Sequence, residues 1–143
     1  MIRITNISHA DRSFDENWAI VRSMKNKSDW IKQVTELSPS TDLFFKYRKL
    51  AENGNWNKDS FADIYVPQFI SELKTNTAAR DMLNYLYEQD KLGKNICLVC
   101  FCTDETLCHR SIIAGILRGG GVNVVTDTNN NYSEYFDMYD YKE

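Results

Sequence analysis

Apolar and polar positions fall into blocks along the chain, and the spacing within each block sorts the sequence into strands and helices. Ile2, Ile4 and Ile7 with Thr5 form a β-branched opening segment that predicts a first strand, and the polar run from His9 to Ser13 predicts a loop. Trp18 to Val21 is a four-residue apolar run ending at Arg22, too short for a helix and suited to a buried strand. From Ser28 the spacing turns helical. Trp30, Ile31, Val34 and Leu37 predict one helix, stopped by Ser38-Pro39-Ser40; Leu43, Phe44, Tyr47 and Leu50 predict another, stopped by Asn53-Gly54. Phe61, Ile64 and Tyr65 begin a third helix near Ser60, where Pro67 predicts a kink or a fresh helical start before Phe69, Ile70 and Leu73. Asn76 or Thr77 caps a fourth helix carrying Ala79, Met82, Leu83, Leu86 and Tyr87, with Gly93 as its stop.

The last third has the clearest pattern. Ile96 to Cys102 is a continuous apolar run, Thr103 to Thr106 a polar loop, and Ile112, Ile113, Ile116 and Leu117 a helical stripe ending at Gly119-Gly120-Gly121. Val122 to Val125 then predicts a closing strand. Strand, loop, helix, glycine turn and strand make a βαβ unit, whose two strands are expected to be parallel and adjacent with a right-handed crossover. The fold class is therefore α/β, with no internal repeat and no linker.

Composition narrows the options. At 143 residues, 43% hydrophobic and 26% charged, the chain has the make-up of one globular domain, with no room for a second of ordinary size. No apolar run approaches the roughly 18 to 20 residues needed to cross a bilayer, and Met1 to Ala10 lack the pattern of a secretion signal. A cytoplasmic protein without membrane contact is expected. Net charge is −3, too weak a field to bind nucleic-acid phosphates or an anionic membrane by charge alone. That charge is also localised: after Thr128, the acids Glu134, Asp137, Asp140 and Glu143 face only Lys142. Residues 1–127, the expected α/β domain, are neutral, and 128–143 form an acidic, tyrosine-rich tail. Tyr132, Tyr135, Phe136, Tyr139 and Tyr141 predict that this tail packs as a terminal helix, because so many rings are costly to leave in water.

All four cysteines, Cys97, Cys100, Cys102 and Cys108, lie within twelve residues. Such clustering argues against a disulfide framework and leaves three readings: small buried hydrophobes, metal ligands, or a reactive thiol at a strand end. In open parallel α/β sheets, ligands sit beyond the carboxyl ends of the strands, against the N-termini of the following helices. Here that place runs from Cys102 to Arg110 and holds Cys102, Cys108, His109 and Arg110, with Thr103 and Thr106 as hydrogen-bonding groups. A helix N-terminus and an adjacent arginine favour a thiolate over a thiol, and the same amides and guanidinium hold an oxyanion.

Plainer readings stand beside these. Cys108, Ile112 and Ile116 are four apart, so Cys108 also reads as the first residue of the buried helical stripe. Cys100 and Cys102 share a strand face with Ile96 and Leu98, and Cys97 faces the other way with Val99. A zinc reading draws on Cys100, Cys102, Cys108 and His109. Its spacing is poor for two cysteines held in an extended strand, so no metal is expected. A phosphatase-type loop requires a cysteine, five residues, then arginine, but counting back from Arg110 reaches Asp104, and neither early strand is followed by a glycine-rich dinucleotide fingerprint. No cofactor is expected.

Leu98-Val99-Cys100, a short polar loop, then Cys108-His109-Arg110 opening a helix resembles the Leu-Leu-Cys … Cys-His-Arg signature of the domain of unknown function family 488. Trp30, the Leu37-Ser38-Pro39-Ser40 block, and Phe61, Tyr65, Phe69 and Glu72-Leu73 are similar to that family's tryptophan, Pro-Ser and aromatic-helix blocks. Trp18 to Arg22 sits where its members have a second strand ending in arginine. The resemblance covers roughly residues 1 to 125. Members often carry an acidic residue shortly after the first signature cysteine, where this chain has Phe101-Cys102. Many also carry a proline after the second-strand arginine, where it has Ser23-Met24-Lys25. The resemblance implies a small Rossmann-like three-layer domain, with a short, mainly parallel sheet of about four strands and helices on both faces.

The leading functional expectation is a pocket at the sheet's C-terminal edge that binds a small anionic or nucleotide-like ligand and acts on it through Cys108. His109 would serve as acid–base group, Arg110 and Arg22 as anion ligands, and Cys102 and Thr103 as further ligand contacts. The rival is a non-catalytic module for a partner protein or nucleic acid, using Trp30, Trp56, Phe61 and Tyr65; these positions are as readily explained by helix packing. The sequence sets no oligomeric state.

Overall fold

The computed structural model describes residues 1–25 and 28–141. Lys142 and Glu143, the end of the acidic tail, lie outside the described residues. The chain forms a three-layer α/β domain around a five-stranded, all-parallel sheet of order β3-β2-β4-β1-β5. Its strands are β1 (Ile2–Asn6), β2 (Glu16–Ala19), β3 (Lys32–Gln33), β4 (Ile96–Cys100) and β5 (Val124–Thr126).

Two features of this sheet differ from the sequence expectation. It has five strands instead of about four, and β4 and β5 are parallel but not adjacent, because β1 lies between them. Register explains the insertion: Ile2 faces Ile96 on one side and Val124 on the other. With Ile2, Ile4 and Thr5 all buried, β1 is a strand that needs neighbours on both edges.

The extra strand comes from the segment expected to be a helix. Instead of a helix over Trp30 to Leu37, the chain forms β3 and a 3-10 turn, Thr35–Leu37. The three-residue spacing of Ile31, Val34 and Leu37 is that of a helical turn, and tertiary pairing overrides it at Lys32 and Gln33. The β-branched Ile31, Val34 and Thr35 and an open edge on β2 favour the extended geometry. Lys32 and Gln33 pair with Trp18 and Ala19, and the Val34 amide donates to Ala19 O at 2.8 Å. Val34 and Leu37 still reach the core.

The remaining helices follow their signals. Helix α1 (Thr41–Glu52) begins where Ser40 Oγ accepts from Leu43 N at 3.1 Å. A short turn, α2 (Lys58–Ser60), runs through a π-helical segment, Phe61–Tyr65, into α3 (Val66–Thr75). Pro67 thus sits in the first turn of α3, where its missing N–H is tolerated, and the wider π turn ahead of it makes that restart possible. Helix α4 (Thr77–Lys91) is capped by Asn76, which accepts from Ala78 N and Ala79 N, and ends at Gly93 with φ of +80°.

Helix α5 (His109–Gly119) packs over β1 and β4. Helix α6 (Glu134–Asp140), from the acidic tail, packs in turn on α5 and α3, with Tyr132 buried. Among the described residues no helix is long and apolar enough to cross a membrane.

Candidate functional site: a buried thiol, histidine and arginine centre

The site is built where β4 runs into α5. Cys100 ends β4 in a buried position, Phe101 bends outward and is exposed, and Cys102 turns back toward Cys100. Asp104 then organises a 3-10 turn, Glu105–Leu107, by accepting from Thr106 N at 3.0 Å and Thr106 Oγ1 at 2.6 Å. That turn delivers Cys108 as the N-cap of α5, its thiol making no capping hydrogen bond. The sulfurs of Cys100, Cys102 and Cys108 consequently all lie within 4.8 Å of one another, with Cys100 and Cys108 only 3.3 Å apart. Cys102 alone of the three is partly accessible.

His109 and Arg110 both turn inward. His109 Nε2 is 2.7 Å from Ile20 O. A carbonyl only accepts, so Nε2 carries the proton and Nδ1, 3.6 Å from Cys108 Sγ, presents its lone pair. Burial holds the His109 pKa below its ordinary value and so favours the neutral ring. Phe69 packs edge-on at 5.6 Å, at the end of an aromatic row that includes Trp56, Phe61 and Tyr65.

Arg110 is 2% exposed, an unusual place for a guanidinium. Its Nη1 donates to Cys102 O at 2.8 Å and to Cys100 Sγ at 3.4 Å, its Nη2 is 3.9 Å from Asp127 Oδ2, and its Nε has no hydrogen-bond partner among the described residues.

These contacts separate the thiols. Hydrogen bonds from Cys102 and Cys108 pull the Cys100 pKa far down, against the opposing effect of burial and with help from His109 and Arg110. Cys102, donating to Cys100, is pushed up to about 12, and burial first of all pushes Cys108 up. Negative charge therefore collects on Cys100, and Cys108, the sulfur favoured from sequence, stands on the donor side. Cys97, on the other face of β4, is raised to about 11 by burial.

Cys102, Cys108, His109 and Arg110 thus come together, and Arg22 does not join them. Its Nε donates to Pro39 O at 3.0 Å, and its side chain lines a separate cleft of about 210 Å³ with Thr35, Ser40 and Glu72 among its walls. Thr103 lies exposed in the turn after Cys102. The expectation that an extended strand keeps Cys100 and Cys102 from converging with Cys108 is corrected as well: β4 ends at Cys100, and the bend at Phe101 folds Cys102 back.

Sequence reasoning missed the neighbours that come from other strands. Thr5 Oγ1 donates to Asp127 Oδ2 at 2.9 Å and lies 3.3 Å from His9 Nδ1, and Asn6 Nδ2 donates to Cys102 O at 2.9 Å. The available signal was polar residues at the ends of apolar strands, Thr5 and Asn6 closing β1 and Asp127 following β5.

Fold and site together define a small parallel α/β protein whose C-terminal sheet edge carries a buried thiol, histidine and arginine centre. The chain belongs to the DUF488 family: residues 2–121 match the group described as the active DUF488-N3 subclade. That span runs from β1 to the glycine turn after α5 and includes the whole Cys-His-Arg segment, with α6 beyond it. No curated protein and no solved structure matches the chain.

Proposed function

We propose that this protein is a thiol-dependent enzyme that takes a small anionic or nucleotide-like ligand at the C-terminal edge of its sheet. One observation carries the reading. Cys100 Sγ is met by the Cys108 thiol at 3.3 Å and by an arginine N–H at 3.4 Å, with the Cys102 thiol alongside. Burying a guanidinium costs several kcal/mol unless it is paired, and Asp127, partly exposed and 3.9 Å from Nη2, is a long partner that leaves Nη1 to the Cys102 carbonyl and the Cys100 sulfur.

In this reading Cys100 is the reacting sulfur, and Cys102, at the solvent margin, is the thiol that an incoming ligand meets first. Neutral His109 exchanges a proton with Cys108 at Nδ1. The His109 and Arg110 amides at the start of α5, which have no preceding helical carbonyl to bond while Ser111 N is taken by Cys108 O, hold the ligand's anionic group. Arg22 takes no part, because its cleft is a different one. A cytoplasmic location suits the chemistry, which needs thiols kept reduced.

The test is a short pulse of iodoacetamide on native, chelator-treated protein, followed by peptide mapping. Label is expected on Cys100 or Cys102 but not on Cys97, and inorganic phosphate or a nucleoside monophosphate is expected to slow it. Four cysteines that stay unlabelled until denaturant is added would refute the reading.

A further inference from the structure

Three sulfurs converging at the end of one strand and the start of the next helix have the shape of a coordination site as well as of a reactive centre. In a tetrahedral zinc centre with Zn–S near 2.3 Å, neighbouring sulfurs stand about 3.8 Å apart. Here Cys100 and Cys108 stand 3.3 Å apart and Cys102 completes the triangle within 4.8 Å, so small side-chain rotations give the required edges.

Two independent features point the same way. The first is His109. A ligating histidine usually fixes its ring by donating its other N–H to a carbonyl or carboxylate. Nε2 does this to Ile20 O at 2.7 Å, leaving the Nδ1 lone pair 3.6 Å from Cys108 Sγ, close to the sulfur–nitrogen edge of about 3.5 Å in such a tetrahedron, though not within 4.8 Å of all three sulfurs, so Cys100 and Cys102 must rotate toward the ring to close the other edges.

The second is charge. Three thiolates around a divalent ion carry one net negative charge, which is costly to bury alone. The Arg110 guanidinium, hydrogen-bonded to Cys100 Sγ and 2% exposed, offsets that charge, with the more exposed Asp127 carboxylate 3.9 Å away on its far side, and its N–H supplies the kind of hydrogen bond that holds a coordinating sulfur in place.

We propose that Cys100, Cys102 and Cys108 form a three-thiolate site for a thiophilic divalent ion of the zinc type, with His109 Nδ1 as fourth ligand. Binding forms three metal–sulfur bonds and one metal–nitrogen bond and releases the remaining thiol protons to solvent, with no change in oxidation state. This goes beyond the thiol reading and is exclusive with it in any one molecule, since an ion on Cys100 covers the reacting sulfur. The metal-bound form is a masked form of the centre.

The experiment is anaerobic titration of the reduced, chelator-treated full chain with Co²⁺, followed by displacement with Zn²⁺. One equivalent of Co²⁺ is expected to give the near-ultraviolet thiolate charge-transfer band and the visible bands of a tetrahedral ion, and Zn²⁺ to abolish both. Cys102→Ser, at a partly accessible turn position, is expected to weaken binding by more than about 100-fold while circular dichroism stays native. Absence of the charge-transfer band in the wild-type chain, or undiminished affinity in a folded Cys102→Ser protein, overturns the proposal. The two readings fail separately. Labelled thiols without cobalt binding remove only the ion site, and cobalt binding with unlabelled metal-free thiols removes only the enzyme.

Discussion

Gly115 and Gly119, one turn apart on α5, are where the C-terminal helix lies on the domain, and Gly115→Ala measures how tightly. A Cβ on Gly115 would stand 1.9 Å from the Tyr132 carbonyl oxygen and 2.7 Å from its carbon; on Gly119 it would stand 2.2 Å from Phe136 Cβ. Backbone does not swing aside as the tip of a side chain does, so the alanine must push the Tyr132 segment off α5. In a free helix the same change stabilises by about 1 kcal/mol.

Two losses oppose that gain. The Tyr132 hydroxyl donates to the Glu105 carboxylate at 2.7 Å, and a hydrogen bond to a charged group is worth about 1.5 to 3 kcal/mol. Returning the buried tyrosine ring to water costs roughly 1 to 2 kcal/mol more. The expected net effect is a destabilisation of about 1.5 to 4 kcal/mol, or a fall in Tm of roughly 5 to 12 °C for a domain of this size. Thermal unfolding by circular dichroism reads it, and limited proteolysis is expected to cut the variant first after Thr128. A Tm equal to or above that of the unmodified protein would show that α6 does not depend on this contact, and the reasoning would fail.

Two smaller predictions concern the sheet and the Pro-Ser block. Cys97 is held up from 9.0 to about 11 by burial, so the folded state keeps that proton longer than the unfolded chain does. Its contribution to stability is complete below the ordinary thiol value and is lost as pH rises to about 11. Replacing Cys97 with alanine should therefore flatten the fall in urea midpoint between pH about 9 and about 11, and an unchanged slope would contradict this. Ser40→Ala removes both the cap on Leu43 N and the hydroxyl bond to Glu72, and is expected to cost about 1 to 2 kcal/mol in urea unfolding.

Much of this protein is written in local pattern. The strands around Ile2, Ile96 and Val124, helices α1, α4 and α5, the helical restart at Pro67 and the packing of the tail rings all follow from spacing, caps and punctuation that act within a few residues. The same locality places a candidate site at the junction of β4 and α5, because a strand followed by a helix start is a sequence-near arrangement.

Tertiary structure decided whatever depends on which strand lies beside which. The three-residue apolar spacing at Ile31, Val34 and Leu37 reads as helix; pairing with the free hydrogen-bonding edge of β2 overrides it. No pattern within β4, α5 and β5 shows that β1 slips between the two strands. Only that insertion brings Thr5 and Asn6 to the site and sets Asp127 against Thr5 and Arg110.

Cys100 was legible as one more apolar strand residue. It became the centre of the site because the bend at Phe101 and the inward turn of Arg110 placed two thiols and a cation around its sulfur. Arg22, equally prominent in sequence, was turned by the carbonyl of Pro39 into another cleft. Sequence fixes which groups are available; strand order and loop geometry, set by long-range backbone pairing, fix which of them meet.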